Sequence, residues 1–246
     1  MRYLAICKYK GTSFCGWQKQ SESKLPSIQD EIERVFKRIL NKEVKIYGSG
    51  RTDAGVHALG QTFHFDVDKE LDIFKFKHGV NELISPDVVI LSITKVNDDF
   101  HARFNAISKT YVYKIVNTPN YDPFYDHLAY QLKQPLDIKL MKKAAKIFLG
   151  EHNFQNFTSK EEDDKNFVRL ISKIKINKQK DVILISLTGN GFMRYMVRMI
   201  VGNLIQVGLG KLTIENLKEN LENKQRKPSS YKAPSDGLYL KEVCYK

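Results

Sequence analysis

The sequence predicts an α+β fold made of two halves, each a mostly antiparallel sheet with helices on one face. Three observations lead there. Strand-like alternation and helical spacing succeed one another as β-α-β-loop-β-α-β through the first hundred or so residues, and a second strand-and-helix series then begins at residue 109. The alternating runs are short and separated by Gly, Pro and Asp signals, as antiparallel strands should be. The halves divide at 1–105 and 106–246.

Residues 3–9 (YLAICKY) read as a strand, followed by a Gly-, Ser- and Lys-rich loop that holds the only tryptophan, Trp17. Ser27 is the expected N-cap of a helix, because Ile28, Ile32, Val35, Phe36 and Ile39 recur at helical spacing while Glu31, Glu33, Lys37 and Arg38 fill the other side. A strand at 44–49 leads into the loop GSGRTDAGVHALG, residues 48–60. Phe63, Phe65 and Val67 then alternate with Thr62, His64 and Asp66 as a half-buried strand. A helix over 73–83 stops at Ser85-Pro86, and VVILSITKV is a strand. This order is a split βαβ unit whose open sheet face suits RNA.

In the second half, KTYVYKIVN and HLAYQL read as strands, and 138–149 as a helix with Gly150 at its C′ position. Strands VRLISKIKIN and DVILISLTG, helices over about 193–207 and 213–221, and a last strand LYLKEV follow. The charge run EEDDK, 161–165, reads as a solvated loop tip, and NKQRKPSSYKAPSDG, from Asn223, as a Pro- and Ser-rich connection.

Composition narrows the function. No apolar run is long enough for a membrane span, and the N-terminus turns polar too soon for a signal peptide, so a cytoplasmic address is expected. Cys7, Cys15 and Cys244 have neither disulfide-framework nor zinc spacing, and no metal is expected. The net charge of +12 is uneven: residues 1–105 hold 16 basic and 14 acidic side chains, residues 106–246 hold 24 and 14. Such an excess suits a polyanion such as RNA, or else a lysine-rich way of keeping a protein in solution.

The 48–60 loop has the most chemistry. Four glycines surround Arg51, Asp53 and His57. An isolated Asp beside Gly is ordinarily a turn residue. Here Arg51 could instead hold a carboxylate ionised, making Asp53 a nucleophile or general base. The segment lacks the Lys-Ser/Thr ending of a triphosphate loop, and His57 and His64 are too isolated for metal. Tyr111 and Tyr113 share a strand face, and on composition alone they are structural. One ring could otherwise stack on an extruded base. Arg194 and Arg198, spaced i, i+4, border the apolar stripe of Met193, Met196, Val197, Ile200, Val201 and Leu204. They either snorkel to solvent or turn inward onto an acid such as Asp53.

Taken together, GRTDAGVHALGQ, FHARF (100–104), KTYVY (109–113), FMRYMVRMIVG (192–202) and GLYL (237–240) resemble, in order, the motifs of the TruA family of tRNA pseudouridine synthases. The resemblance spans essentially the whole chain. It departs at Lys10, where the family usually has Asp, and at Phe14, where Tyr is common. It implies two split βαβ halves, ferredoxin-like or RRM-like, forming a continuous sheet with the active cleft between them. It also implies a homodimer holding tRNA by its anticodon arm, and a reaction without metal or organic cofactor. Uridines at tRNA positions 38, 39 and/or 40 would be isomerised to pseudouridine. By residue, it implies Asp53 as the essential catalytic carboxylate, Tyr111 packed on the target base, Arg198 paired with Asp53 and Arg51 helping to extrude the nucleotide. Arg194 and His57 join the expected substrate-binding set. The same chemistry on ribosomal RNA, or a silent RNA-binding or folding protein, are the alternatives.

Overall fold

In the computed structural model, which describes residues 1–20, 23–159 and 166–246, Ser27 opens the first helix as the sequence expects. Its Oγ accepts the Asp30 N–H at 3.0 Å, and Asp30 accepts the Ser27 N–H in return. Helix α1 (Ile28–Leu40) buries Ile28, Ile32, Val35 and Phe36 and ends at Asn41 in the left-handed conformation. Asp72 caps α2 (Ile73–Leu83) in the same way, through the Lys75 N–H.

The chain divides into two compact units, Met1–Ile107 with Tyr239–Lys246, and Ser108–Leu238. In the first, β1 (Arg2–Tyr9) lies between β4 (Val88–Val96) and β3 (His57–Asp66), antiparallel to both. The far edge of β3 is shared. Near its end it pairs antiparallel with β2 (Ile46–Gly48), and at His57 and Ala58 it pairs parallel with the last strand, β10 (Leu238–Cys244). A division at residue 105 leaves that strand with the second half, whereas residues from Tyr239 onward group with the first unit.

The alternation of β3 explains the layering. Phe63 and Phe65 face the helices, where Phe36 sits 4.8 Å from Phe65 and 5.0 Å from Phe76 between ring centroids. Each such ring contributes roughly 1.5–3 kcal/mol of burial. His64, on the opposite face, packs instead against Tyr47 and His101.

The second unit has the sheet order β6-β5-β9-β8-β7. Its central hairpin-like pair is β8 (Val168–Gln179) with β9 (Val182–Gly189), and β9 pairs antiparallel with β5 (Ser108–Val116). Strand β7 (Gly150–Asn153) adds an edge that the sequence does not announce, and of HLAYQL only β6 (Tyr130–Gln131) pairs, parallel to β5. Helix α3 (Ile138–Ala145) is shorter than expected because a 3-10 turn at Lys146–Phe148 finishes it before Gly150. Helix α4 (Met196–Gly208) is buried along almost its whole length, and α5 (Ile214–Glu222) follows. The EEDDK run lies outside the described residues.

No helix among the described residues is long and apolar enough to cross a membrane. Each unit is thus a mixed α+β body with mostly antiparallel pairing.

Candidate active site

The 48–60 loop leaves β2 and returns to β3, and its backbone is held from both sides. Ser49 donates from its N–H to the Thr62 carbonyl and from Oγ to Gln61 Oε1 at 2.8 Å, while Gln61 Nε2 donates to the Gly50 carbonyl. Tyr9 and Thr52 share a hydroxyl hydrogen bond of 2.9 Å, and the Trp17 N–H donates to the Thr52 carbonyl. The segment 11–18 is therefore the buttress of the 48–60 loop. At Gly16 the fit allows no side chain: φ is +109°, and a Cβ there would sit 2.5 Å from the Thr52 carbonyl oxygen and 3.0 Å from the Asp53 carbonyl carbon.

Within this frame Asp53 is half-buried and Arg51 is exposed. The Asp53 carbonyl accepts the Val56 N–H, which closes the tight turn on which the acid sits. His57 lies behind the loop and is 1% exposed. Its Nδ1 accepts the Gly11 N–H at 3.0 Å, and its ring stacks on Tyr239 with centroids 4.6 Å apart. Asp53 and Arg51 thus share one loop, whereas His57, the first residue of β3, lies beneath it and away from its surface.

The second unit contributes its own group. Tyr111 and Tyr113 point to the buried face of β5, where the Tyr111 ring meets Phe192 edge-on at 5.2 Å and is 8% exposed. The Tyr113 hydroxyl donates to the Pro234 carbonyl at 2.8 Å, and burial pushes its acidity well below that of an ordinary tyrosine.

Arg198, in the first turn of α4, donates from Nε to the Ala233 carbonyl at 2.8 Å. Asn203, further along the same helix, donates to Ser229 Oγ. The stretch 229–237, which the sequence presents as a linker, is therefore a strap laid across α4 and β5. It carries contacts to Arg198 and Tyr113, the neighbour of Tyr111. Helix α4 starts three residues later than the spacing suggests, because Tyr195 adopts a left-handed φ of 62° as its N-cap. That turn brings Arg194 and Arg198 onto one aromatic ring, with guanidinium carbons 5.0 and 5.3 Å from the Tyr195 centroid.

Sequence reasoning missed the buttress at Gly16 and Trp17, the strap at Ala233 and Pro234, and Tyr195. The first two had a faint signal, Gly-Trp and Pro-Ser clusters where a plain loop needs neither. Among the described residues, no group of three or more His, Cys, Asp or Glu side chains could hold a metal ion.

Chemically, the first unit offers a carboxylate on a loop held by backbone hydrogen bonds, beside an exposed arginine. The second offers a nearly buried aromatic ring and an arginine whose fork is oriented by a backbone carbonyl. A family model described as tRNA pseudouridine synthase matches residues 5–105 and 144–246. A tRNA pseudouridine synthase A 2 from Clostridium tetani is 42% identical over 238 residues, covering 97% of this chain and 96% of its own. Proteins described as tRNA pseudouridine synthase A from Mycoplasma genitalium and Acetivibrio thermocellus are 40% and 38% identical, covering 99% and 98% of this chain and 98% of each relative.

Proposed function

The chain belongs to the tRNA pseudouridine synthase family, a family of isomerases, and on that premise we propose that it converts uridines on the 3′ side of the tRNA anticodon arm, at positions 38, 39 and/or 40, to pseudouridine. The observation that carries this reading is Asp53, a half-buried carboxylate on a turn whose backbone is fixed by Thr52, Trp17 and Gly16. A group that must meet one sugar-base bond needs that rigidity more than it needs reach.

The reaction breaks the C1′–N1 bond, turns the base and joins C1′ to C5. The C5 proton is lost and N1 gains one, so atoms balance without an oxidant or cofactor. In this reading Asp53 acts as nucleophile or as the anion that stabilises charge on the sugar. Arg198 pairs with it and keeps it ionised, since an arginine is charged at every relevant pH. Tyr111 packs against the extruded base, Arg51 helps the nucleotide out of the helix, and Arg194 binds the RNA. His57 serves the substrate by holding the loop from beneath. The net charge of +12 supports a polyanionic substrate. The enzyme works in the cytoplasm as a homodimer on the anticodon arm of tRNA.

The test is tritium release from tRNA labelled at uridine C5, with wild type beside Asp53→Ala. Release is expected from the wild type only, with RNA binding retained in the variant. Wild-type binding without release overturns the reading, and release from ribosomal RNA fragments but not from anticodon arms replaces the substrate.

A further inference from the structure

We infer that Arg194, Tyr195 and Lys232 form a seat for one phosphate of the RNA backbone, beside the arginine proposed to serve catalysis. The inference rests on the reading of the substrate as RNA.

Three cationic groups crowd one ring. Lys232 Nζ lies 4.3 Å from the Tyr195 centroid, and the guanidinium carbons of Arg194 and Arg198 lie at 5.0 and 5.3 Å. All three charges therefore sit within ~10 Å of one another, about one screening length at 0.1 M salt, and repel. The quadrupole of a single tyrosine attracts each of them only weakly at an exposed site. Among the described residues, neither Arg194 nor Lys232 is in an ion pair with a carboxylate, and both are exposed. Arg194 and Lys232, which no carboxylate among the described residues neutralises, are suited to an anion from outside the chain.

The backbone is arranged to keep the cluster in place. The Arg194 carbonyl accepts Thr158 Oγ1 at 3.0 Å and the Ser159 N–H at 3.4 Å, so the turn before α4 is tied down. Arg194 Nη2 also reaches the Tyr195 hydroxyl at 3.2 Å. Lys232 stands on the strap between Tyr231, whose carbonyl lies against Gly202, and Ala233, which is bonded to Arg198. Tyr195 is the N-cap of α4 and makes no side-chain cap bond, so the partial positive charge of the helix start adds to the same spot.

A phosphodiester fits this chemistry better than a carboxylate-bearing metabolite. It brings one negative charge with two unesterified oxygens, and an arginine fork and a lysine can take one each. A phosphate held here would fix the register of the strand relative to Arg198. Tyr195 would act as the hub that spaces the cations.

The test is the salt dependence of binding of an anticodon stem-loop RNA by the full chain, followed by fluorescence anisotropy, with tritium release measured on the same RNA. For Lys232→Ala combined with Arg194→Ala, the slope of log affinity against log salt is expected to fall by about 1, the signature of one lost phosphate contact. Affinity at 0.1 M salt is expected to fall several-fold. Tyr195→Asn, which suits the left-handed backbone and leaves the net charge unchanged, should weaken binding in the same direction.

Wild-type slope and affinity in the double variant, with circular dichroism showing it folded, would overturn the seat. So would a Tyr195→Asn variant that binds normally, since the loss in the double variant would then reflect total charge. A fall in turnover with binding intact would make the cluster a support for Arg198 and also overturn it. Failure of the wild type to release tritium is a separate result and removes the proposed reaction instead.

Discussion

Arg198 and Ala233 are bonded in both directions: Arg198 Nε donates to the Ala233 carbonyl at 2.8 Å, and the Ala233 N–H donates to the Arg198 carbonyl at 3.0 Å. The helix backbone and the side chain that leaves it are thus fixed by one strap residue. The strap reaches that depth because Gly202, one turn further along α4, has no side chain to hold it off. A Cβ at Gly202 would stand 2.4 Å from the Tyr231 carbonyl oxygen and 3.0 Å from the Ala233 nitrogen. Gly202→Ala is therefore expected to destabilise the fold by about 1–3 kcal/mol, the usual cost of overpacking, and to lower activity further by loosening Arg198. Urea unfolding and tritium release on the same preparation check both effects. Unchanged stability would show that the strap moves aside freely.

Arg198 itself separates two roles. If it serves Asp53, Arg198→Ala lowers tritium release by about 10²–10³-fold, the scale of losing one charge-stabilising donor, while RNA affinity changes little. Arg198→Lys should recover only part of the loss, because an ammonium cannot both satisfy the Ala233 carbonyl and present a planar fork. A large fall in affinity with turnover retained would assign Arg198 to a phosphate.

The elements most readily seen in the sequence were those with local causes. Ser27 and its i, i+4 apolar series gave α1 to within a residue, and the Phe63-Phe65 alternation gave β3 and its core face, although Thr62 and His64 on the other face, expected to be open, are buried as well. What stayed hidden depends on distant partners. Strand β10 joins the first unit through a parallel pairing with His57 and Ala58, which no local pattern encodes. The strap looks like a linker because its bonds to Arg198, Asn203 and Tyr113 come from residues 26 to 121 positions away. In the site, Asp53 and Arg51 stood out by composition, but the reason the loop is rigid lies at Gly16 and Trp17. His57, expected in the substrate-binding set, lies beneath the loop, held there by its bond to Gly11 and its stack on Tyr239.

The cysteines differ enough to be counted. Cys7 is fully buried, and burial raises its thiol far above the ordinary range; Cys15 is buried too, and Cys244 is exposed. Because the thiolate is the reactive form, a disulfide reagent at pH 8 should label one thiol quickly in the folded protein and three in guanidinium. Rapid labelling of Cys7 in the folded protein would mean that β1 opens readily.

His64 sets an acid limit on stability. Burial, together with the nearby His101 and Arg2, holds its pKa down to about 4, with Asp66 pulling the other way. Its ring stacks on Tyr47, and its Nδ1 accepts the Ala102 N–H, so the neutral form is the one that fits. The unfolded chain takes up a proton on this histidine near pH 6.5, while the native state resists until about pH 4. Below pH 6.5 the unfolded state therefore binds more protons, and stability declines as pH falls, levelling off for this group near pH 4. His101, also held low by burial, adds in the same direction. Asp66, whose pKa is lowered mainly by its bond to Arg2, contributes its own loss only at more acid pH. Urea midpoints measured from pH 7.5 to 4.5 should fall steadily in the wild type. His64→Gln should start less stable, having lost the stacked ring, but vary less over the same interval. An equally steep decline in the variant would place the acid sensitivity elsewhere, with His101 the first group to examine.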